Sequence, residues 1–185
     1  MEPNTPLNYL ESVRRLFRYY KSLGEKAMGQ LTDTGLKFQP EPESNNIATI
    51  VKHLYGNMLS RWTDFLDSDG EKPWRNRDGE FEDTLDNREA VMKAWEEGWD
   101  CVFRALDGLE EKDLLRIVYI RNEGHTVLEA VNRQLAHYSY HVGQIVFLAR
   151  QVKGPEWESL SIPKGKSKAF NQEKFSREKG RRHFS

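Results

Sequence analysis

Apolar side chains recur every three or four positions along four long stretches of the chain, which is the spacing of amphipathic helices. In the first stretch Thr5 can cap the helix and Pro6 suits its first turn, because the amide that proline lacks has no partner there. The second stretch can be capped by Ser44 or Asn45. The apolar positions of these two stretches are Leu10, Val13, Phe17, Tyr20, Ala27 and Leu31, then Ile47, Ile50, Val51, Leu54, Met58, Trp62 and Phe65.

The third stretch follows Asp86 and Glu89, which have the spacing of a capping box. Its apolar positions are Val91, Trp95, Val102 and Leu106. The segment after it, "DLLRIVYIRNEGHTV", is enriched in β-branched residues around the turn-forming "RNEG". This composition predicts a short hairpin between the third and fourth helices.

The fourth stretch begins at the clearest capping box in the chain, formed by Thr126 and Glu129. It runs to about Lys153, where Gly154 and Pro155 end it. The residues that follow lack a sustained hydrophobic period, so we predict an extended tail. Its candidate anchors on the bundle are Trp157, Leu160 and Ile162.

Two polar segments separate the first three helices. "TDTGLKFQPEPES" contains Pro40 and Pro42, which exclude the interior of a helix. "DSDGEKPWRNRDGEFED" is a long loop that holds Trp74 and Phe81. Loops of this length are uncommon in compact domains and often functional.

These elements predict an all-α protein, a four-helix bundle with a short hairpin before the fourth helix and an extended C-terminal tail. We expect one domain over residues 1–163 and a basic tail over residues 164–185. The tail carries eight Lys or Arg and two Glu, whereas the rest carries twenty basic and twenty-seven acidic residues. A basic tail can contact nucleic acid, but no recognition motif accompanies it, so we expect no nucleic-acid partner.

The chain has the composition expected of a cytoplasmic protein. No apolar run approaches the ~20 residues that a membrane span requires, and no signal peptide is visible at the N-terminus. Cys101 is the single cysteine, so an internal disulfide is excluded and a reducing compartment is indicated. Because Cys101 lies among large apolar residues, we interpret it as a small hydrophobe rather than a nucleophile.

Histidines in two of the helices provide the candidate chemistry. His137 and His141, in "LAHYSYHVGQIVFLAR", are four residues apart and therefore lie on one helix face, where two imidazoles can reach one ion. His53, in "IATIVKHLYGNML", lies at the edge of the apolar face of the second helix. If the second and fourth helices are neighbours, the three imidazole nitrogens converge and can bind one metal ion. The remaining coordination positions of that ion stay open, as in catalytic sites. The alternative is that these histidines bond carbonyls or water, and His125 and His183 fit the cluster less well.

The two histidine segments, "SNNIATIVKHLYGNMLSRW" and "LAHYSYHVGQIVFLAR", together resemble the DinB-like (YfiT-like) superfamily of metal-dependent enzymes, over roughly Leu7 to Lys153. The resemblance implies a four-helix bundle of DinB/YfiT type, often a homodimer. It also implies one divalent metal per chain, zinc or nickel, bound by His53, His137 and His141. The long charged loop and the "SIPKGKS" tail are similar to those of a less-characterised subgroup.

The same resemblance implies two chemistries: thiol S-transfer and thiol-dependent isomerisation with small thiols such as bacillithiol, mycothiol or glutathione. A metal with an open position can also activate water for hydrolysis. We therefore expect a thiol transferase or hydrolase that acts on a small molecule. A low-molecular-weight thiol is one candidate partner. The alternative is a metal-binding bundle without catalysis that acts through dimerisation or partner binding.

Three further residues are candidates for catalysis or for positioning the ligands. Asn57 lies one turn after His53 and Gln144 lies three residues after His141, so either can contact a ligand or orient an imidazole. Arg61 follows on the same line and can meet an acidic substrate group. The alternatives are backbone hydrogen bonds for Asn57 and Gln144 and a surface carboxylate for Arg61. The tryptophans are interpreted as core or dimer contacts.

Overall fold

The computed structural model describes residues 5–180 and confirms the helical bundle. The helices are α1 (Thr5–Gly29), α2 (Asp33–Leu36), α3 (Ile47–Trp62), α4 (Arg88–Asp107), α5 (Val127–Lys153) and α6 (Ser167–Phe175). Two strands, β1 (Ile117–Ile120) and β2 (Glu123–Thr126), precede α5, and short 3₁₀ turns lie at Asp78–Phe81, Glu111–Asp113 and Gly154–Glu156. None of the helices in this described range is both long and apolar enough to cross a membrane.

The four long helices surround one core. Helix α3 packs on α4 and α5, and α1 packs on the same two helices from the other side. Each long helix contributes at least one buried aromatic ring to the core, and four of these rings are Phe17, Trp62, Trp99 and Tyr138. The ring of Phe17 lies edge-on at 6.0 Å from Trp62 and 5.9 Å from Tyr138, a favourable arrangement for aromatic quadrupoles. The apolar spacing in the sequence therefore identified the faces that form this core.

The starts of α3 and α4 differ from the prediction by one or two residues. Asn46, rather than Ser44 or Asn45, caps α3, and its side chain accepts a hydrogen bond from the amide of Thr49. Asn87 caps α4 in the same way, so the predicted capping box of Asp86 and Glu89 is wrong. Several polar residues precede each helix, and only the one whose backbone is extended at the turn can act as the cap.

The first and last long helices begin and end close to the predicted positions. Helix α1 includes Thr5 in its first turn, and the residues before Thr5 lie outside the described range. The capping box of Thr126 and Glu129 is confirmed, and α5 ends at Gly154, which has a positive φ of 57°. Helix α3 ends at Trp62, short of the predicted Phe65, which is nevertheless buried 4.8 Å from the Trp62 ring.

The predicted hairpin is confirmed, with β1 and β2 antiparallel. Its two turn residues, Arg121 and Asn122, have φ values of 56° and 62°, as a type I′ turn requires. Neither is glycine, so the conformation is strained and needs support. Asp69 supplies it, because its carboxylate accepts hydrogen bonds from both turn amides at 2.9 and 2.8 Å.

Two helices lie where none was predicted. The first interhelical loop contains the single turn of α2, capped by Thr32. The tail contains α6, so the expectation of a fully extended tail is wrong. Its residues include good helix formers but no buried side chain, which is why hydrophobic spacing could not reveal it. Of the predicted anchors, Trp157 and Leu160 pack against the core, whereas Ile162 is exposed.

Candidate metal centre

The three predicted ligands come together between α3 and α5. His53 faces His141, with ring centroids 4.9 Å apart, and His137 lies 4.6 Å from His141. Further along α3, Trp62 Nε1 donates a hydrogen bond to the hydroxyl of Tyr138 on α5 at 2.9 Å. His53 and His141 are buried and His137 is partly buried. The shared face inferred for His137 and His141 is therefore the one that meets His53.

The distances between the imidazole nitrogens match those of a shared ion. The Nε2 atom of His137 lies 3.4 Å from that of His53 and 3.0 Å from that of His141. All three ligand atoms lie within 4.8 Å of one another. Nitrogens bound to a tetrahedral zinc at 2.0–2.1 Å are themselves ~3.3 Å apart. The cluster can therefore hold a metal ion without rearrangement of the helices.

The hydrogen bonds on the outer sides of two rings fix their tautomers. His53 Nδ1 lies 2.9 Å from a carboxylate oxygen of Glu80, and His141 Nδ1 lies 2.8 Å from the amide oxygen of Gln144. Both oxygens only accept, so each Nδ1 carries a proton, and a neutral ring held in this orientation presents the lone pair of Nε2 to the cluster. His137 Nε2 can donate a proton to only one of them. A cation satisfies all three nitrogens at once.

Burial keeps the α5 imidazoles in the form that binds metals. Desolvation, together with the neighbouring His141 and His53, lowers the pKa of His137 to about 3. Desolvation also lowers the pKa of His141 to about 4, despite the opposing hydrogen bond to Gln144. Both rings are therefore neutral at pH 7, and neutral imidazole is the metal ligand.

Glu80, in the 3₁₀ turn of the long loop, is the principal site residue that the sequence analysis missed. It is buried and accepts hydrogen bonds from Arg75 Nε at 2.7 Å and Nη2 at 2.9 Å as well as from His53. Burial alone would raise the pKa of Glu80, but the bonds from His53 and Arg75 outweigh it and lower the pKa. Glu80 is therefore a charged carboxylate that orients a candidate ligand, a partner that metal-binding histidines usually have.

A glycine in α3 makes room for this carboxylate. Gly56 lies one turn after His53, and a Cβ atom built there would overlap with the carboxyl group of Glu80. The length of the loop was a signal that it bears on function. Neither its path nor the contact of Glu80 with His53 could be read from a hydrophobic period.

The three other candidate residues line the same cavity of about 390 Å³ as the histidines. Gln144 contacts His141 as described, and Asn57 Oδ1 accepts a hydrogen bond from the Tyr138 hydroxyl at 3.1 Å. Arg61 is buried and pairs with Glu71 at 3.1 Å. Functional roles for Asn57, Arg61 and Gln144 stay predictions.

The remaining candidates lie away from the cluster. His125 lies on β2 and its Nε2 is 3.3 Å from Arg133 Nη1, and His183 lies outside the described residues. Cys101 is buried, with its sulfur 3.7 Å from the Thr63 hydroxyl. Three tryptophans, Trp62, Trp95 and Trp99, are buried in the core.

Fold and site together define a helical-bundle protein with a candidate three-histidine metal centre. The chain belongs to the family described as protein of unknown function (DUF1572), whose model matches residues 4–166. The match covers the whole bundle and ends before α6. No curated protein matches the chain.

Proposed function

We propose that this chain is a DinB-like enzyme that uses one divalent metal, zinc or nickel, to transform a small molecule, as a thiol S-transferase or a hydrolase. The convergence of His53, His137 and His141 Nε2 atoms carries the proposal. Three protein ligands leave coordination positions open, which distinguishes catalytic from structural metal sites.

The surrounding residues support each part of this proposal. Glu80 and Gln144 hold His53 and His141 so that their lone pairs face the ion. The cavity beside the histidines has a volume suited to a small substrate rather than a polymer. Phe81 stacks on the ring of His53 at 5.0 Å and limits the access of water to that ligand. The metal, when bound, supplies a Lewis acid for a thiol or a water molecule.

Elemental analysis of the purified protein tests the metal centre. We expect about one divalent ion per chain in the wild type and little in His137→Ala, because two imidazoles bind far more weakly than three. His125→Ala is the matched control, because this histidine lies outside the cluster, and it should keep the ion. Equal metal contents in the wild type and His137→Ala would refute the assignment.

A second measurement addresses the reaction. In cobalt-substituted protein, a thiol that enters an open position changes the visible spectrum, and a screen of electrophiles then detects conjugation. A spectrum that ignores added thiols would exclude the transferase. Metal binding without turnover of any electrophile or ester would favour the alternative of a non-catalytic bundle that acts through dimerisation or partner binding.

A further inference from the structure

Guanidinium groups surround the cavity beside the three histidines. Five arginines contribute to its lining, and they come from α3, the long loop, the hairpin turn and α5: Arg61, Arg75, Arg77, Arg121 and Arg133. None of the residues within 5–180 that line this cavity is a carboxylate.

Two carboxylates behind the lining compensate part of this charge. Glu71 pairs with Arg61 at 3.1 Å and with Arg121 at 3.0 Å, and Glu80 pairs with Arg75 at 2.7 Å. The five lining guanidinium groups therefore outnumber the two carboxylates that pair with them directly. A bound divalent ion would add to this excess. A cavity of one sign of charge attracts and concentrates ligands of the opposite sign.

Arg77 and Arg133 are the lining arginines that form no ion pair with any carboxylate in the described part of the chain. The guanidinium of Arg77 lies 6.0 Å from the centre of the Phe81 ring, which itself stacks on His53. Arg133 precedes His137 by one turn of α5, about 6 Å along the helix axis. Both cations therefore border the metal centre, from its loop side and from its α5 side.

A buried acceptor lines the same cavity as Arg133 and the histidines. Gln134 is 3% exposed, lines the cavity, and its Oε1 atom has no hydrogen-bond partner. An unpaired buried acceptor costs about 1–3 kcal/mol, so native proteins rarely leave one without a ligand or water. A ligand that donates an N–H or O–H group at this point would remove the cost.

We propose that the substrate of this site carries an oxyanion, a carboxylate or a phosphate, that Arg77 and Arg133 bind while the rest of the molecule reaches the three-histidine centre. The inference rests on the proposed function and adds a substrate class to it. Planar guanidinium groups donate two parallel hydrogen bonds to such groups, which gives both charge and directional recognition. Arg61, the residue singled out from the sequence for this role, is already engaged by Glu71.

Calorimetric titration tests the proposal with three probes: inorganic phosphate, malonate, and the neutral malonamide. Each is titrated into zinc-loaded and into metal-free protein. We expect saturable binding of phosphate or malonate and none of malonamide. The oxyanion that binds more tightly identifies the chemical group, and added salt should weaken its binding because the arginines are exposed.

Charge-removing variants locate the binding. Arg77→Gln and Arg133→Gln should each weaken oxyanion binding roughly threefold or more, and the double variant at least about tenfold, as expected for the loss of charge-assisted hydrogen bonds. Arg150→Gln is the matched control, because Arg150 is exposed on the same helix α5 and lies outside the cavity. It should bind like the wild type.

Two results would overturn the inference. The first is that neither oxyanion shows saturable binding. The second is that the double variant binds the oxyanions as tightly as the wild type, which would assign the binding to the metal alone. The proposed function fails separately. If the wild type takes up no metal but metal-free protein binds oxyanions through Arg77 and Arg133, the metal centre is refuted and the anion site remains. Metal content measured on the double variant should equal that of the wild type.

Discussion

At the scale of single residues, the geometry of the centre depends on the hydrogen bonds that Nδ1 of His53 and Nδ1 of His141 donate. The Glu80 carboxylate accepts the Nδ1 proton of His53, and Arg75 holds that carboxylate in place. This arrangement fixes the orientation of the ring in the absence of an ion and makes Nε2 a better electron donor. The position of His53, the candidate ligand on α3, therefore depends on Glu80 in the long loop.

We predict that Glu80→Gln lowers the affinity for zinc roughly 10- to 100-fold, the effect usual for partners of ligating histidines. A glutamine can still accept a hydrogen bond from Nδ1 of His53, so the fold should persist. It carries no charge, so Nε2 of His53 becomes a weaker electron donor. Competition with a chromogenic chelator measures the affinity. Glu82→Gln, an exposed position two residues later, is the control and should leave the affinity unchanged. Equal affinities for both variants would remove Glu80 from the centre.

At the scale of elements, the contact between α3 and the 3₁₀ turn Asp78–Phe81 determines whether Glu80 can reach His53. Gly56 permits this contact, since any side chain there would meet the Glu80 carboxyl group. Glycine in the interior of a helix is intrinsically unfavourable. Its presence in α3 is explained by close packing of the loop rather than by the helix itself.

We predict opposite effects for two substitutions of glycine by alanine. Gly56→Ala should reduce the free energy of unfolding by about 1–3 kcal/mol through overpacking and should weaken metal binding. Gly143→Ala in α5, where nothing lies within 4 Å of the added Cβ, should raise it by about 0.5–1 kcal/mol. Urea unfolding of metal-free protein measures both. A stabilised Gly56→Ala variant would show that the loop does not pack closely against α3.

What could be predicted from the sequence divides along these elements. The four long helices and the pair His137 and His141 follow from local spacing, because residues four apart on a helix must share a face. The hairpin follows from its β-branched residues and its turn. The meeting of His53 with that pair required the additional assumption that two helices are neighbours. Glu80 and Arg75 belong to a loop, and no periodic rule specifies where a loop returns to the bundle.

At the scale of the whole molecule, the site and the core are continuous. Tyr138 follows His137 directly and its ring lies in the central aromatic cluster, where its hydroxyl accepts a hydrogen bond from Trp62 Nε1 at 2.9 Å and donates one to Asn57. The backbone that positions the histidines is thus part of the best-packed region. The homodimer and the cytoplasmic location stay predictions.

The low pKa values of His137 and His141 predict a pH dependence for the metal-free protein. In the unfolded chain both take up protons below the ordinary histidine pKa of 6.5, whereas in the folded protein they do so only near about 3 and 4. The contribution of these two rings to the free energy of unfolding is therefore complete above pH 6.5. It declines as the pH falls toward 4, by up to about 1.4 kcal/mol per pH unit for each ring.

Urea unfolding at several pH values between 7 and 4, in the presence of a chelator, measures this dependence. The double variant His137→Gln/His141→Gln should lose less stability than the wild type over the same interval, because the carboxylates common to both proteins contribute equally. Parallel curves for the two proteins would show that these imidazoles are accessible to protons in the folded state.

The separation of the histidines along the chain has a consequence for biosynthesis. His53 and His137 are 84 positions apart, and the pair on α5 lies on the last of the four long helices among the described residues. A nascent chain that ends at the hairpin contains His53 but neither His137 nor His141. An ion held by all three histidines can therefore bind only after translation has passed α5 and the bundle has closed.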